Sequence, residues 1–472
     1  MIYRHDSKSK DAFLYTLGGI GDTVFFVFIG SFLLLFYTNL MGISGVIAGS
    51  IFMVGRLVDA FTDPLMGSLA DRTRSRWGKY RPYIIFGAPV FSMLSVALFI
   101  VPGGSPLFRI FYAYGIYLIW GLARTAVQIT FISLTALISP DPQKRGKWAA
   151  FRQVTGLVGA MIGVALALPL INFFGGLQQQ GAWLMTVIIY AVVTLASYWI
   201  SAYGARMMDP SSRVEGAIDE NTVSARIERV SIKESVRVIF QNAPLLFLVL
   251  AFSTDSFANA IGGGLGVLFF THYLGNEGLF TTFNLTTMFA TLPVAVIIVP
   301  RLYRRFTKRM IILVAEALTI IPLLIAFFLP RDAVMMIFAM LFLSFAIQAV
   351  AMVTFWAAVP DCSDYGEWKT GKESAGSAAS SITFANKLVQ ALGIMLAGAM
   401  LDITGYHVDN VTQPEAFITM LISVRIWIPV LALIISVFAM LKYPLNKETM
   451  VTMTSALKET RLTADNVSED LL

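Results

Sequence analysis

Arg56, Asp59 and Asp63 lie in "GRLVDAFTDPLMG" (55–67), within an apolar stretch from Val46 to Ala70 that is as long as a membrane-crossing helix. A helix turns every 3.6 residues, so the i, i+3, i+7 spacing stacks the three on one face, with Asp59 and Asp63 as direct neighbours. Two carboxylates that close repel unless positive charge sits between them. A shared proton or a bound alkali cation meets that need, since hard cations take carboxylate and hydroxyl oxygens. Thr62, beside Asp63, and Thr125, in a later segment, offer such oxygens. The structural alternative bridges both acids to Arg56 and Arg152 for assembly, although one base does not easily satisfy two acids at low dielectric.

The elements that must hold this face are membrane helices. The chain is 57% hydrophobic and 14% charged, with a mean hydropathy of +0.72, whereas soluble proteins carry roughly 25% charged residues. Twelve apolar segments reach the length needed to cross a hydrocarbon core, for which about 20 residues suffice: 12–40, 43–70, 83–102, 109–138, 148–174, 182–205, 243–273, 279–300, 311–329, 334–358, 375–403 and 417–441. With the amino terminus inside, the inner segments hold 28 of the 35 lysines and arginines, and the outer loops only Arg109 and Arg331. That asymmetry is the positive-inside rule and places both termini in the cytoplasm. The net charge of +6 is then explained by anchoring beside an anionic leaflet, without a nucleic-acid partner. "MIYRHDSKSK" runs into a segment too long for a signal peptide's apolar core, so no cleavable leader is expected.

The expected organisation is an all-α membrane protein with an N-terminal six-helix bundle (1–205), a cytoplasmic middle loop (206–242), a C-terminal six-helix bundle (243–443) and a cytoplasmic tail (444–472). The middle loop includes an expected surface helix from about Ser224 to Phe240. Basic runs recur at matching places, "DRTRSRWGKYRP" after span two and "PRLYRRFTKR" after span eight. They serve either as topogenic anchors or as part of a cytoplasmic gate. A repeated six-span half related by an axis along the membrane normal is the pattern of the major facilitator fold.

Five bases remain inside the membrane, Arg56, Arg124, Arg152, Lys387 and Arg425, with five acids at similar depth, Asp22, Asp59, Asp63, Asp255 and Glu316. Each costs about 2.5–3.5 kcal/mol at the bilayer centre even on the lenient insertion scale, so together they must line a polar interior. The histidines, His5, His272 and His407, fall at the tail, a membrane end and an outer loop. No nucleophile-and-base or metal constellation of an enzyme is visible, and the single cysteine, Cys362, cannot form an internal disulfide. No filter-like re-entrant segment points to a channel.

Three stretches, "LLLFYTNLMGIS", "VGRLVDAFTDPLMGSLADRTRSRWGKYRPY" and "DCSDYGEWKTGKESAGSAASSITFANKLVQALG", resemble the glycoside–pentoside–hexuronide:cation symporters of the major facilitator superfamily, the group of the melibiose permease and the glucuronide carrier. The resemblance covers residues 12 to about 445. It implies cation-coupled (Na+ or H+) sugar symport in a bacterial inner membrane, with no cofactor beyond the coupling ion. Asp59 and Asp63 fall on the family's cation aspartates, and Thr125 on a threonine that helps coordinate sodium. Lys387 falls on a lysine near both sites and Arg152 on a sugar-side arginine. Asp22, Trp120, Trp356 and Thr383 join the sugar-side candidates.

Where the melibiose permease has sugar-binding aspartates, this chain has Thr23 and Gln128. Arg124 and Gln128 are i, i+4 neighbours. A cavity that leans positive suits an anionic hexuronide, because guanidinium groups bind carboxylates bidentately; otherwise Arg124 pairs internally with Asp22 or Asp59. Trp120, Phe131 and Trp356 serve either as sugar platforms or in packing. Asp71, Asp361, Asp364 and Glu367 are expected to latch the cytoplasmic side against Arg72, Arg74, Arg76 or Arg81. The competing reading is a proton-coupled exporter of small organic compounds on the same fold.

Overall fold

The computed structural model describes residues 8–139, 142–209, 241–370, 375–408, 410 and 412–457. The described secondary structure is helical. Eleven helices are long and apolar enough to cross a membrane, and Arg81–Ala97 is a shorter apolar helix between the second and the next of them. In chain order they are α1 Ser9–Asn39, α2 Gly45–Ala70, α3 Arg81–Ala97, α4 Pro106–Leu134, α5 Lys144–Phe173, α6 Gln180–Met207, α7 Ala243–Gly264, α8 Gly278–Tyr303, α9 Lys308–Phe328, α10 Val334–Lys369, α11 Ser381–Ile403 and α12 Glu415–Lys442.

Local chemistry sets several boundaries. Ser44, Ser105 and Thr307 each accept a hydrogen bond from the backbone N–H three residues on, capping α2, α4 and α9, and Pro106 follows its cap where a missing N–H costs nothing. α10 departs from expectation. It runs through Pro360 instead of ending near residue 358, because one proline removes a single ladder bond and can be absorbed within a helix when its surroundings compensate. Here Lys308 Nζ donates to the Ala357 carbonyl at 2.8 Å, one turn before the proline.

The chain divides into two compact units, Met1–Arg226 with Gly263–Leu285 and Ile394–Met420, and Ile227–Gly262 with Thr286–Gly393 and Leu421–Leu472. The first is built around an aromatic ridge on α1. Phe25, Phe28, Phe32 and Phe36, three or four residues apart, meet Phe91, Phe99, Trp183 and Tyr190. On the other side of α1, Gly156, Gly159 and Gly163 of α5 admit the neighbouring backbone; a Cβ at Gly159 would strike the Ile20 carbonyl and Thr23 Oγ1. Small residues at helix crossings are the usual means of close packing in membranes. The second unit has its own core of Leu248 and Phe252 on α7, Ile312 on α9, Phe355 on α10 and Met440 on α12. Met453 and Leu457, from a helix over 447–457, complete it. The surface helix expected from Ser224 to Phe240 lies outside the described residues.

Candidate functional site

The span-two acids face α4 in register. Gly55 meets Tyr117, Asp59 meets Gly121 and Asp63 meets Thr125. Each pair is offset by the same 62 positions, so α2 and α4 run parallel and stay in step over two turns. Gly121 has no side chain to crowd Asp59; an added Cβ would sit 3.4 Å from its Oδ1. Thr125, buried, donates from Oγ1 to Asp63 Oδ1 at 3.0 Å. Thr62 Oγ1 is buried with no hydrogen-bond partner. Asp59, Asp63 and Thr125 thus lie on the shared α2–α4 face, and carboxylate and hydroxyl oxygens are the kind an alkali cation takes.

Arg56 lies beside this set, with Nη1 3.5 Å from Asp59 Oδ2 and both side chains 14% exposed. Its guanidinium is 5.6 Å from the Phe26 ring, and the Arg124 guanidinium is 4.5 Å from the same ring. Phe26, on α1, thus has two cations against its ring, a role that no spacing in the sequence signals. One turn before it, Asp22 experiences the charges of Arg124 and Arg152 and is bonded by Gln128. Tyr198 Oη donates to Asp22 Oδ1 at 3.4 Å. The Arg152 guanidinium is 5.7 Å from the Phe131 ring. The Nε atoms of Arg124 and Arg152 are buried with no hydrogen-bond partner. A cavity lined by Arg56, Asp59, Tyr117, Trp120, Gly121 and Arg124 opens on this face.

Thr23 donates from Oγ1 to the Gly156 carbonyl at 2.6 Å and to that of Gly19 at 3.0 Å, so its hydroxyl belongs to the α1–α5 contact. Trp120 is buried against Phe91 and Tyr117, with Nε1 donating to Ser95 Oγ at 2.9 Å, and it also lines the cavity. Trp356, Thr383 and Lys387 belong to the second unit. Trp356 is 49% exposed, its ring edge-on to Phe252; Thr383 is exposed and Lys387 half-buried.

The residues of the expected cytoplasmic latch belong to different units, the arginines to the first and Asp361, Asp364 and Glu367 to the second. Asp361 is held by Lys308, whose Nζ donates to both carboxylate oxygens at 2.8 Å, because the α9 start packs beside the Pro360 turn. Arg81 donates to the carbonyls of Ala202 and Trp77, and the Arg76 guanidinium covers the Trp77 ring at 3.9 Å. Arg72 and Arg74 are exposed, and Asp364 and Glu367 half-buried; the side chain of Asp71 is outside the described set. What organises the loop is Asp209, which sequence reasoning missed. Its carboxylate accepts the backbone N–H groups of Lys79, Tyr80 and Arg81 at 2.7–2.9 Å. Gly78, at φ 103°, makes that turn, and a Cβ there would collide with Asp209. A second missed carboxylate, Asp402, accepts the N–H groups of Gly45 and Val46 at 2.7 and 2.8 Å, capping α2 from α11.

Eleven helices long and apolar enough to cross a membrane, with charged side chains set along them, mark a multi-pass membrane protein. The chain superposes on the crystal structure of a D-xylose-proton symporter with a TM-score of 0.61 at 15% identity, covering 90% of this chain and 96% of that one, which establishes the major facilitator fold. Residues 14–447 match the family described as MFS/sugar transport protein, and the chain belongs to that family. It is 30% identical to the inner membrane symporter YicJ of Escherichia coli (strain K12), over 92% of this chain and 91% of that protein. It is 28% identical to the isoprimeverose transporter of Lactiplantibacillus pentosus, over 95% and 91%.

Proposed function

We propose that the protein carries a sugar or glycoside across the bacterial inner membrane in symport with a monovalent cation, with two six-helix halves rocking about the bound ligands and both termini in the cytoplasm. The observation that carries this reading is the in-step face of α2 and α4, which brings Asp63 onto Thr125 and sets Asp59 against Gly121. The cation, sodium or a proton, binds Asp59, Asp63 and Thr125. The sugar is gripped by Arg124, Gln128 and Arg152, with Asp22 orienting the two guanidiniums. The relative named as an isoprimeverose transporter supports a saccharide as cargo, and the resemblance to the cation symporters adds Lys387 from α11.

Charge supplies the coupling. Asp22 stands opposite two guanidiniums, and each keeps an Nε without a partner. This surplus of donors favours a substrate that brings acceptor oxygens, best of all a carboxylate, which makes an anionic glycoside the preferred cargo. A cation at Asp59 and Asp63 competes with Arg56 for Asp59 and makes the cavity more positive by one charge. It therefore strengthens the hold on an anionic sugar, and the sugar strengthens the hold on the cation by the same factor.

Competition assays in proteoliposomes, with a glycoside and its matching uronide, test the cargo. The uronide is expected to compete better, and Arg124→Gln to remove the preference. A preference for the neutral sugar that Arg124→Gln leaves intact would refute the anionic cargo. Normal concentrative uptake by Asp63→Asn would refute the cation site itself.

A further inference from the structure

A second pair of acids lies in the other unit, where the cation-and-sugar site just described makes no use of it. Asp255 on α7 and Glu316 on α9 are both fully buried, and their carboxyl groups meet within hydrogen-bonding reach. Gln348 of α10 stands against Asp255, and Ser436 of α12 against Glu316. Among the described residues, those are the other polar side chains that act on the pair. No lysine, arginine or histidine among the described residues acts on either acid. Arg425, on α12, lies at the level of Gly262, two turns along α7 from Asp255. Asn259 is committed to the Asp255 backbone carbonyl at 3.0 Å.

With both acids ionised this arrangement has no physical support. All four carboxyl oxygens are without a well-formed donor, and so is the buried Ser436 Oγ. Two like charges would touch in a desolvated core with no counter-ion, where each uncompensated charge costs several kcal/mol. One proton changes the account. It turns an acceptor–acceptor contact into an O–H···O⁻ hydrogen bond of the strong, charge-assisted kind, as paired carboxylates sharing a site do elsewhere. Ser436 can then donate to the remaining charge.

We propose that Asp255 and Glu316 share one bound proton, forming a proton-binding site in the second unit separate from the carboxylates of α2. The proton bonds α7 to α9, and Gln348 and Ser436 orient the pair. The inference is independent of the cargo and of the ion at Asp59 and Asp63.

Infrared difference spectroscopy on purified full-length protein, titrated from mildly acidic to mildly alkaline pH, tests it. The background is Asp59→Asn/Asp63→Asn, so that the α2 acids contribute nothing. The expected result is a protonated-carboxyl C=O band whose intensity falls by one carboxyl when Asp255→Asn and Glu316→Gln are added. The band is expected to be unchanged when potassium is exchanged for sodium. Should the added pair not fold, Ser436→Ala in the same background shifts the band, because its hydroxyl faces Glu316. A band unaffected by these variants, a loss of two carboxyls, or erasure of the band by sodium would overturn the proposal, the last by showing that an alkali cation holds the pair.

Discussion

Thr125→Ala perturbs the candidate cation site at one atom. In the native protein Thr125 Oγ1 donates to Asp63 Oδ1 at 3.0 Å inside the bundle, and its lone pairs remain available to a cation beside the carboxylate. A hydrogen bond to a charged group is worth about 1.5–3 kcal/mol. Part of that is present with and without the cation, so the lower end governs the change in affinity, and about 1.5 kcal/mol corresponds to roughly a tenfold weaker cation. Thr125→Ser keeps the hydroxyl and is expected to stay within about twofold of the native protein. Uptake into proteoliposomes, measured against sodium, lithium or proton concentration at saturating sugar, reads the half-activating concentration directly. A rise for Ala that Ser reverses supports the site. Equal cation activation in all three proteins would refute the assignment of Thr125 and, with it, the argument from the register of α2 and α4.

Asp209→Ala removes the acceptor for three backbone N–H groups and is expected to lower stability by about 2–4 kcal/mol, seen as a fall in the thermal-unfolding midpoint in detergent. Asp402→Ala uncaps α2 and is expected to loosen its contact with α11 by about 1–2 kcal/mol, roughly five- to thirtyfold in the closed-to-open ratio. Thiol labelling of Val46→Cys, with and without the Asp402 change, measures it. Lys308→Met strands Asp361 and is expected to cost about 1.5–3 kcal/mol. Adding Asp361→Asn recovers part of that loss, which a double-mutant thermal-unfolding cycle would resolve.

The in-helix half of the site was legible in the sequence. Arg56, Asp59 and Asp63 share a face because 3.6 residues per turn leave no alternative, and the apolar segments that became α1 to α12 follow from the cost of exposing backbone to lipid. The largest shift in a boundary is at Pro360, because Lys308 from another helix supports the turn there, and α7 ends at Gly264 where the expected segment ran on to residue 273. What periodicity does not specify is how one helix is rotated and shifted against the next. The constant offset of 62 that sets Asp63 on Thr125, the place of Asp22 opposite two guanidiniums, and Phe26 beneath Arg56 and Arg124 are settled by packing. Packing also took Thr23 out of the cavity. The α1–α5 contact brings the Gly156 carbonyl within reach of its hydroxyl, and a buried hydroxyl takes the nearest acceptor. Asp361 is held by Lys308 for the same reason, since ion pairs form between neighbours in space and charge pattern along the chain names only the possible partners.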